Sequence, residues 1–188
     1  EHRISLSIGI CLFRGSELAA ETLIEHAEAA MYKAKQDGRN CIRFYDPVTQ
    51  AALEARYTLI AWLHKALPHE LRLYYQVQVD ATGTPLGAEA LIRWQHPEKG
   101  LISPAMFIPL AEESGLILPI GAWVLETACQ QLALWSPDAA TRHLKLAVNV
   151  SAKQFLQADF VEVVGGALAR SGANPKLLKL DLTESVMV

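Results

Sequence analysis

Glu89, Asn149 and Glu184 stand in three short segments, each part of an apolar run and each bearing an oxygen able to bind a cation. The segments are Glu89-Ala90-Leu91-Ile92-Arg93-Trp94, Asn149-Val150-Ser151 and Leu182-Thr183-Glu184-Ser185. Carboxylate and amide oxygens are hard donors, suited to Mg²⁺ or Mn²⁺ and not to Zn²⁺. The side-chain period of two in a strand puts Glu89, Leu91 and Arg93 on one face, with Ala88, Ala90, Ile92 and Trp94 on the other. One face is free for chemistry while the other is buried. In the stretch 144–150 the odd positions carry Asn149 and the even ones are all Leu or Val; in 178–184 the even positions read Leu, Leu, Leu, Glu. Two carboxylates and one amide oxygen converge if these strands are neighbours in a parallel sheet. Reactive groups at the carboxyl ends of parallel strands are what a barrel enzyme requires.

Taken singly, these residues have plainer readings. A Glu at a strand end is commonly a solvated loop carboxylate, and an Asn there is commonly a turn or cap residue. Arg93, two residues past Glu89 on the same face, reads either as its salt-bridge partner or as a phosphate-binding fork. His96, in Trp94-Gln95-His96-Pro97, reads as a surface loop residue and not as a base.

The elements that must position the site alternate in a recognisable order. Arg72 to Asp80 reads as a strand that turns at Thr82-Gly83 into the Glu89 strand, and so short a connection implies antiparallel pairing. Ser103 to Ser114 and Ile117 to Trp135 read as helices, 144–150 as a strand, Phe155 to Ser171 as a helix and Leu178 to Glu184 as a strand. Ser103-Pro104 is a cap followed by a first-turn proline. Upstream, Ile4 to Ile10 alternates like a strand, Glu17 to Lys35 reads as an amphipathic helix closed by Gly38, and Val48 to Ala66 as a linker helix. The linker helix carries Leu53, Tyr57, Ile60, Leu63 and Leu67 on or near one face, a stripe that serves either as core or as contact with a second subunit.

The set of motifs from about Glu54 onward resembles the EAL family of cyclic di-GMP phosphodiesterases. It includes Glu89-Ala90-Leu91-Ile92-Arg93-Trp94, Gly100-Leu101-Ile102-Ser103-Pro104, Phe107 to Gly115, Asn149-Val150-Ser151 and Leu182-Thr183-Glu184-Ser185. The resemblance implies an α/β fold, a (β/α)8 barrel with an antiparallel first strand, of which this chain holds the first half. It implies Mg²⁺ or Mn²⁺ bound by Glu89, Asn149 and Glu184 as catalytic ligands, and cyclic di-GMP contacted by Gln76, Leu91, Arg93 and Pro104. The implied reaction is hydrolysis of cyclic di-GMP to pGpG; the alternative is a degenerate EAL domain acting as a non-catalytic receptor or protein-interaction module. Val77 replaces the proline that usually follows the family's Gln, so the entry to that loop is expected to differ. Ser7 to Ile10, Ala27 to Lys35 and Gly38-Arg39-Asn40 resemble the last strand and helix of a GGDEF, or diguanylate cyclase, domain, with Glu28 where that family usually has Asp. The expected boundaries are 1–45 for the GGDEF piece, 46–55 for the linker leading into the helix, and 56–188 for the half-barrel of a longer GGDEF–EAL signalling protein with an upstream sensory or membrane region.

Composition agrees. The 51% hydrophobic content is ample for a core, and a formal net charge of −3 without charge runs speaks against nucleic-acid binding. Cys11, Cys41 and Cys129 are odd in number and widely spaced, which fits buried free thiols in the cytoplasm. The apolar stretch Leu116 to Leu125 is too short to cross a bilayer and contains Pro119 and Gly121. A homodimer through the EAL portion or the linker helix is the expected assembly.

Overall fold

A computed structural model describes residues 5–15, 18–67 and 69–182. The chain divides into two compact units, Glu1–Thr58 and Leu59–Val188.

In the first unit β1 (Ile8–Ile10) pairs in parallel with β2 (Ile42–Phe44), Ile8 opposite Ile42, and α1 (Ala20–Gln36) is the crossover between them. Of the strand expected over 4–10, Ile4 lies outside the described residues, and among the described ones only Ile8–Ile10 is strand, paired with the three residues of β2. Gly9 lets α1 lie directly on the strand: a Cβ there would run into the backbone of Ala27 and Met31. The helix ends at Asp37, which binds Lys33 at 2.9 Å and Arg43 at 2.7 Å, and Gly38 turns the chain away with φ +101. Both cations hold the Asp37 carboxyl below its usual range, Lys33 first.

Helix α2 (Pro47–Ala66) runs out of this unit into the second. Leu63 and Ala66 are fully buried in the second unit's core and Leu59, Trp62 and Leu67 pack against it, while Tyr57 is exposed. The C-terminal part of the stripe is therefore core.

The second unit is a five-stranded sheet covered on one face by helices. β3 (Leu71–Val79) and β4 (Pro85–His96) form the expected antiparallel hairpin, β4 pairs in parallel with β6 (Lys145–Val150), and β6 in parallel with β7 (Leu178–Leu182). An additional strand, β5 (Gly100–Ile102), folds back on the end of β4, Trp94 opposite Ile102. Its three residues are too few to show a period. Asp80 fixes the β3–β4 turn by accepting from the backbone of Thr82 and Thr84 and the Thr82 hydroxyl, at 2.8, 3.0 and 2.6 Å, while Gly83 supplies φ +85.

The covering helices are α3 (Pro104–Ser114), α4 (Ile117–Trp135), α5 (Ala152–Phe155) and α6 (Phe160–Ser171). The single helix expected over 155–171 is two. Ser151 and Gln154 form a capping box that starts α5 immediately after β6, and the chain breaks before Phe160 restarts it. The strand faces sort as alternation requires: Ala88, Ala90 and Trp94 of β4 and Leu146, Val148 and Val150 of β6 are buried beneath Ile120, Val124, Leu125, Ala128 and Leu132 of α4. Each such large aliphatic side chain contributes about 1.5–3 kcal/mol of transfer free energy. Trp94 is fully buried and its indole N–H donates to Glu70 at 2.8 Å, which satisfies the one polar atom the core encloses there. At 19 residues and mean hydropathy 1.2, α4 has the length and composition of a membrane span. Here it is the central core helix, with Ile117, Ile120, Gly121, Val124, Leu125, Ala128, Cys129 and Leu132 buried.

Two smaller expectations are corrected. His96 is not a surface loop residue: it ends β4, is 6% exposed, accepts from the backbone N–H of Glu98 and Lys99 through Nδ1, and packs on Trp62 and Trp94. Of the cysteines only Cys129 is buried, Cys11 and Cys41 being partly exposed; burial pushes the Cys129 thiol up.

Candidate active site

Parallel alignment of β4 with β6 brings Glu89 and Asn149 together. Glu89 lies opposite Ala147, and Asn149, two residues further along the same face, donates Nδ2–H to Glu89 Oε1 at 2.7 Å. Sixty positions apart in sequence, the pair meets because both strands bury their even residues beneath the helices and leave this face open. Gln76 is the cross-strand partner of Glu89 and extends the polar row across β3. Val77 pairs with Ala88, so the ladder that a proline could not have joined continues to Val79.

Arg93 shares the face but is not the partner of Glu89. Among the described residues it makes no ion pair; its guanidinium lies 5.8 Å from the centre of the Tyr74 ring and donates to its neighbour's carbonyl, Ile92 O, at 2.8 Å. An arginine held on an aromatic face, with donors unspent, is well placed for an anion.

Leu91, Arg93, Pro104 and Asn149 line one cavity of about 290 Å³ together with residues of α3 and α4. Four of the seven expected site residues therefore line one cavity, Glu89 joins them through its contact with Asn149 and Gln76 through its pairing with Glu89, and Glu184 lies outside the described residues.

The register adds a residue that sequence reasoning misses. Asn149 is directly opposite Asp181 of β7, so Asp181 belongs to the same face, where its carboxylate now binds Lys179 at 3.0 Å. Alternation alone cannot tell which parity of β7 shares a face with Asn149. Gln154 is the other omission. It is 6% exposed, and its Oε1 accepts from the Ser151 backbone at 3.2 Å and the Ser151 hydroxyl at 3.1 Å, which pins the turn that follows Asn149. The spacing Ser-x-x-Gln is the signal that could have found it.

The donor set is one of hard oxygens: the Glu89 carboxylate, the Asn149 amide and a β7 carboxylate. Turning the Asn149 amide over exchanges Nδ2 for Oδ1 and converts a hydrogen-bonded pair into two oxygens that fit Mg²⁺ or Mn²⁺.

Comparison with known proteins decides the assignment. The family model for the EAL domain matches residues 60–188, and that for the diguanylate cyclase GGDEF domain matches residues 1–41. The chain belongs to the EAL domain family. Its N-terminal end is GGDEF sequence. Over 187 residues the chain is 45% identical to the bifunctional diguanylate cyclase/cyclic di-GMP phosphodiesterase MucR of Pseudomonas aeruginosa, covering 98% of this chain and 27% of that protein. Among solved structures, the PaMucR phosphodiesterase in complex with c-di-GMP superposes with TM-score 0.64 at 46% identity, over 68% of this chain and 52% of that one. The EAL enzyme Bd1971, bound to cAMP and cyclic di-GMP, superposes with TM-score 0.69 at 26% identity, over 92% of this chain and 46% of that one. The chain thus spans about a quarter of the length of that curated relative and about half of these EAL structures, and its second unit is a partial EAL-type barrel.

Proposed function

We propose that the EAL portion of this protein hydrolyses cyclic di-GMP to pGpG with Mg²⁺ or Mn²⁺. The observation that carries this reading is the contact of Asn149 with Glu89 at 2.7 Å across two parallel strands, with Gln76 and Arg93 on the same face. Glu89 and Asn149 would hold the cation together with a carboxylate of the last segment; the register favours Asp181 of β7, and Glu184, outside the described residues, is the one that family resemblance suggests. A divalent cation so held would supply Lewis acidity to a phosphoryl oxygen and acidify a water. Arg93 would bind the phosphodiester through its planar fork, Gln76 would donate to it from the edge of the row, and Leu91 and Pro104 would pack on a base. The same reading gives 1–45 to the GGDEF piece, 46–55 to the linker and 56–188 to the EAL piece, and places the protein in the cytoplasm as a homodimer.

The test is turnover. Full-length protein with Mg²⁺ or Mn²⁺ is expected to convert cyclic di-GMP to pGpG, and Glu89→Ala to abolish it, because no neighbouring side chain replaces that charge. Near-normal turnover in Glu89→Ala would remove Glu89 from the site, and binding without turnover in the wild type would make the domain a receptor.

A further inference from the structure

The cavity beside Arg93 has polar groups in its lining that the phosphodiesterase reading leaves without a role. Its walls are apolar, formed by residues such as Ile108, Ile117, Ile120 and Val124, and interrupted by Glu112 and Gln154. Glu112 is partly buried in the last turn of α3, a turn with no basic residue, where the helix dipole disfavours a carboxylate. Among the described residues its carboxylate has no hydrogen bond or ion pair. Lys153 donates instead to the Glu112 backbone carbonyl at 2.7 Å, which also ties α5 to the end of α3. Gln154 is more than nine-tenths buried; its Oε1 is taken by Ser151, while its Nε2 lies against Gly121 with no acceptor among the described residues. An unpaired acceptor and an unpaired donor therefore face one apolar slot.

The slot suits a planar base. At about 290 Å³ it lies at the bottom of the range of roughly 300–1,000 Å³ usual for small-molecule sites, room for one base and not for a dinucleotide. Arg93 and Asn149 belong to the same lining, so a phosphodiester bound by Arg93 leaves an attached base within reach of the slot.

We propose that Glu112 is a specificity-determining residue, its carboxylate accepting from the N1–H and N2–H of one guanine of cyclic di-GMP while Gln154 Nε2 donates to O6. This rests on the cyclic di-GMP reading above and adds how the site rejects adenine. Adenine presents N1 as an acceptor and N6–H as a donor, the reverse order, which would set a lone pair against the carboxylate and leave Gln154 facing a donor. Sites built to hydrogen-bond a ligand discriminate strongly against an analogue that leaves the buried groups unpaired.

The experiment compares equilibrium binding of cyclic di-GMP and cyclic di-AMP to full-length protein by calorimetry, with Ca²⁺ in place of Mg²⁺. Wild-type preference for cyclic di-GMP tests the functional reading itself; the change in that preference tests Glu112. Glu112→Gln is expected to weaken cyclic di-GMP roughly tenfold or more, the size of a charge-assisted hydrogen bond, and to leave cyclic di-AMP nearly unchanged or improved. Glu112→Asp, which keeps the carboxylate, should retain much of the preference, and Arg93→Lys should weaken both ligands alike. An unchanged affinity ratio in Glu112→Gln, or equal loss of both ligands, would overturn the proposal.

Discussion

Gly121→Ala isolates how the site is held. Gly121 lies in α4 where the Gln154 amide crosses it, and a Cβ at this position would occupy the place of Gln154 Nε2. The amide must move, and with it go the bonds from the Ser151 backbone and hydroxyl at 3.2 and 3.1 Å. Two hydrogen bonds at about 1 kcal/mol each set the loss near 2 kcal/mol, the cap that Ser151 makes on the Gln154 backbone N–H being kept. Alanine's advantage over glycine within a helix returns about 0.5–1 kcal/mol, leaving a net destabilisation of roughly 1–1.5 kcal/mol. Urea denaturation of full-length protein, followed by a signal from the EAL portion, should show the midpoint falling by roughly 0.5–1 M. Gly165→Ala in α6 is the matched control: nothing lies within 4 Å of its would-be Cβ, so it gains the helix term alone and should stabilise slightly. In a Gln154→Ala background Gly121→Ala should lose most of its effect, since the colliding group is gone. If Gly121→Ala unfolds at the wild-type midpoint, or costs as much without Gln154 as with it, the capping box does not depend on this close approach and the reasoning fails.

Two further outcomes are expected. Arg93→Lys keeps the charge but loses the fork and its seat on Tyr74, so cyclic di-GMP affinity should fall while Mn²⁺ affinity stays; unchanged substrate affinity would make Arg93 structural. The Asp80 carboxyl is held below the usual carboxylate range, first by the Thr82 hydroxyl and then by the N–H groups of Thr84 and Thr82. Its support for the β3–β4 turn is therefore complete above the ordinary Asp range and lost as pH falls through the lowered value. Asp80→Ala should destabilise the hairpin at neutral pH and converge with the wild type in acid, read by hydrogen exchange of Thr82 and Thr84; a penalty that does not shrink in acid would assign it to something other than the ionised carboxylate.

What the sequence revealed follows the range of each interaction. The β3–β4 hairpin is legible because Thr82-Gly83 fixes it locally, and the two faces of β4 because Ala88, Ala90 and Trp94 alternate with Glu89, Leu91 and Arg93. The helix boundaries at Pro104, Gly115 and Gly172 are punctuated by proline or by glycine at positive φ. β2 and β5 escape a periodicity reading because three residues show none. His96 reads as loop because Pro97 follows it, yet β5 folds back and closes the core around it. The break between α5 and α6 is set by Ser151 and Gln154, where the apolar pattern from Phe155 onward suggests one helix. Asp181 requires the β6–β7 register, a long-range property that no local pattern contains.

Mn²⁺ binding to full-length protein, titrated by electron paramagnetic resonance, tests the central claim most directly: that oxygens from three adjacent parallel strands form one divalent cation site. Compared with the wild type, Glu89→Gln and Asp181→Asn should each lose at least tenfold in affinity, as expected for removal of a charged ligand, and the direct comparison with Glu184→Gln would show which carboxylate of the last segment belongs to the set. Retention of wild-type Mn²⁺ affinity in Glu89→Gln and Asp181→Asn would contradict the account, leaving the Glu89–Asn149 contact an ordinary hydrogen bond between neighbouring strands.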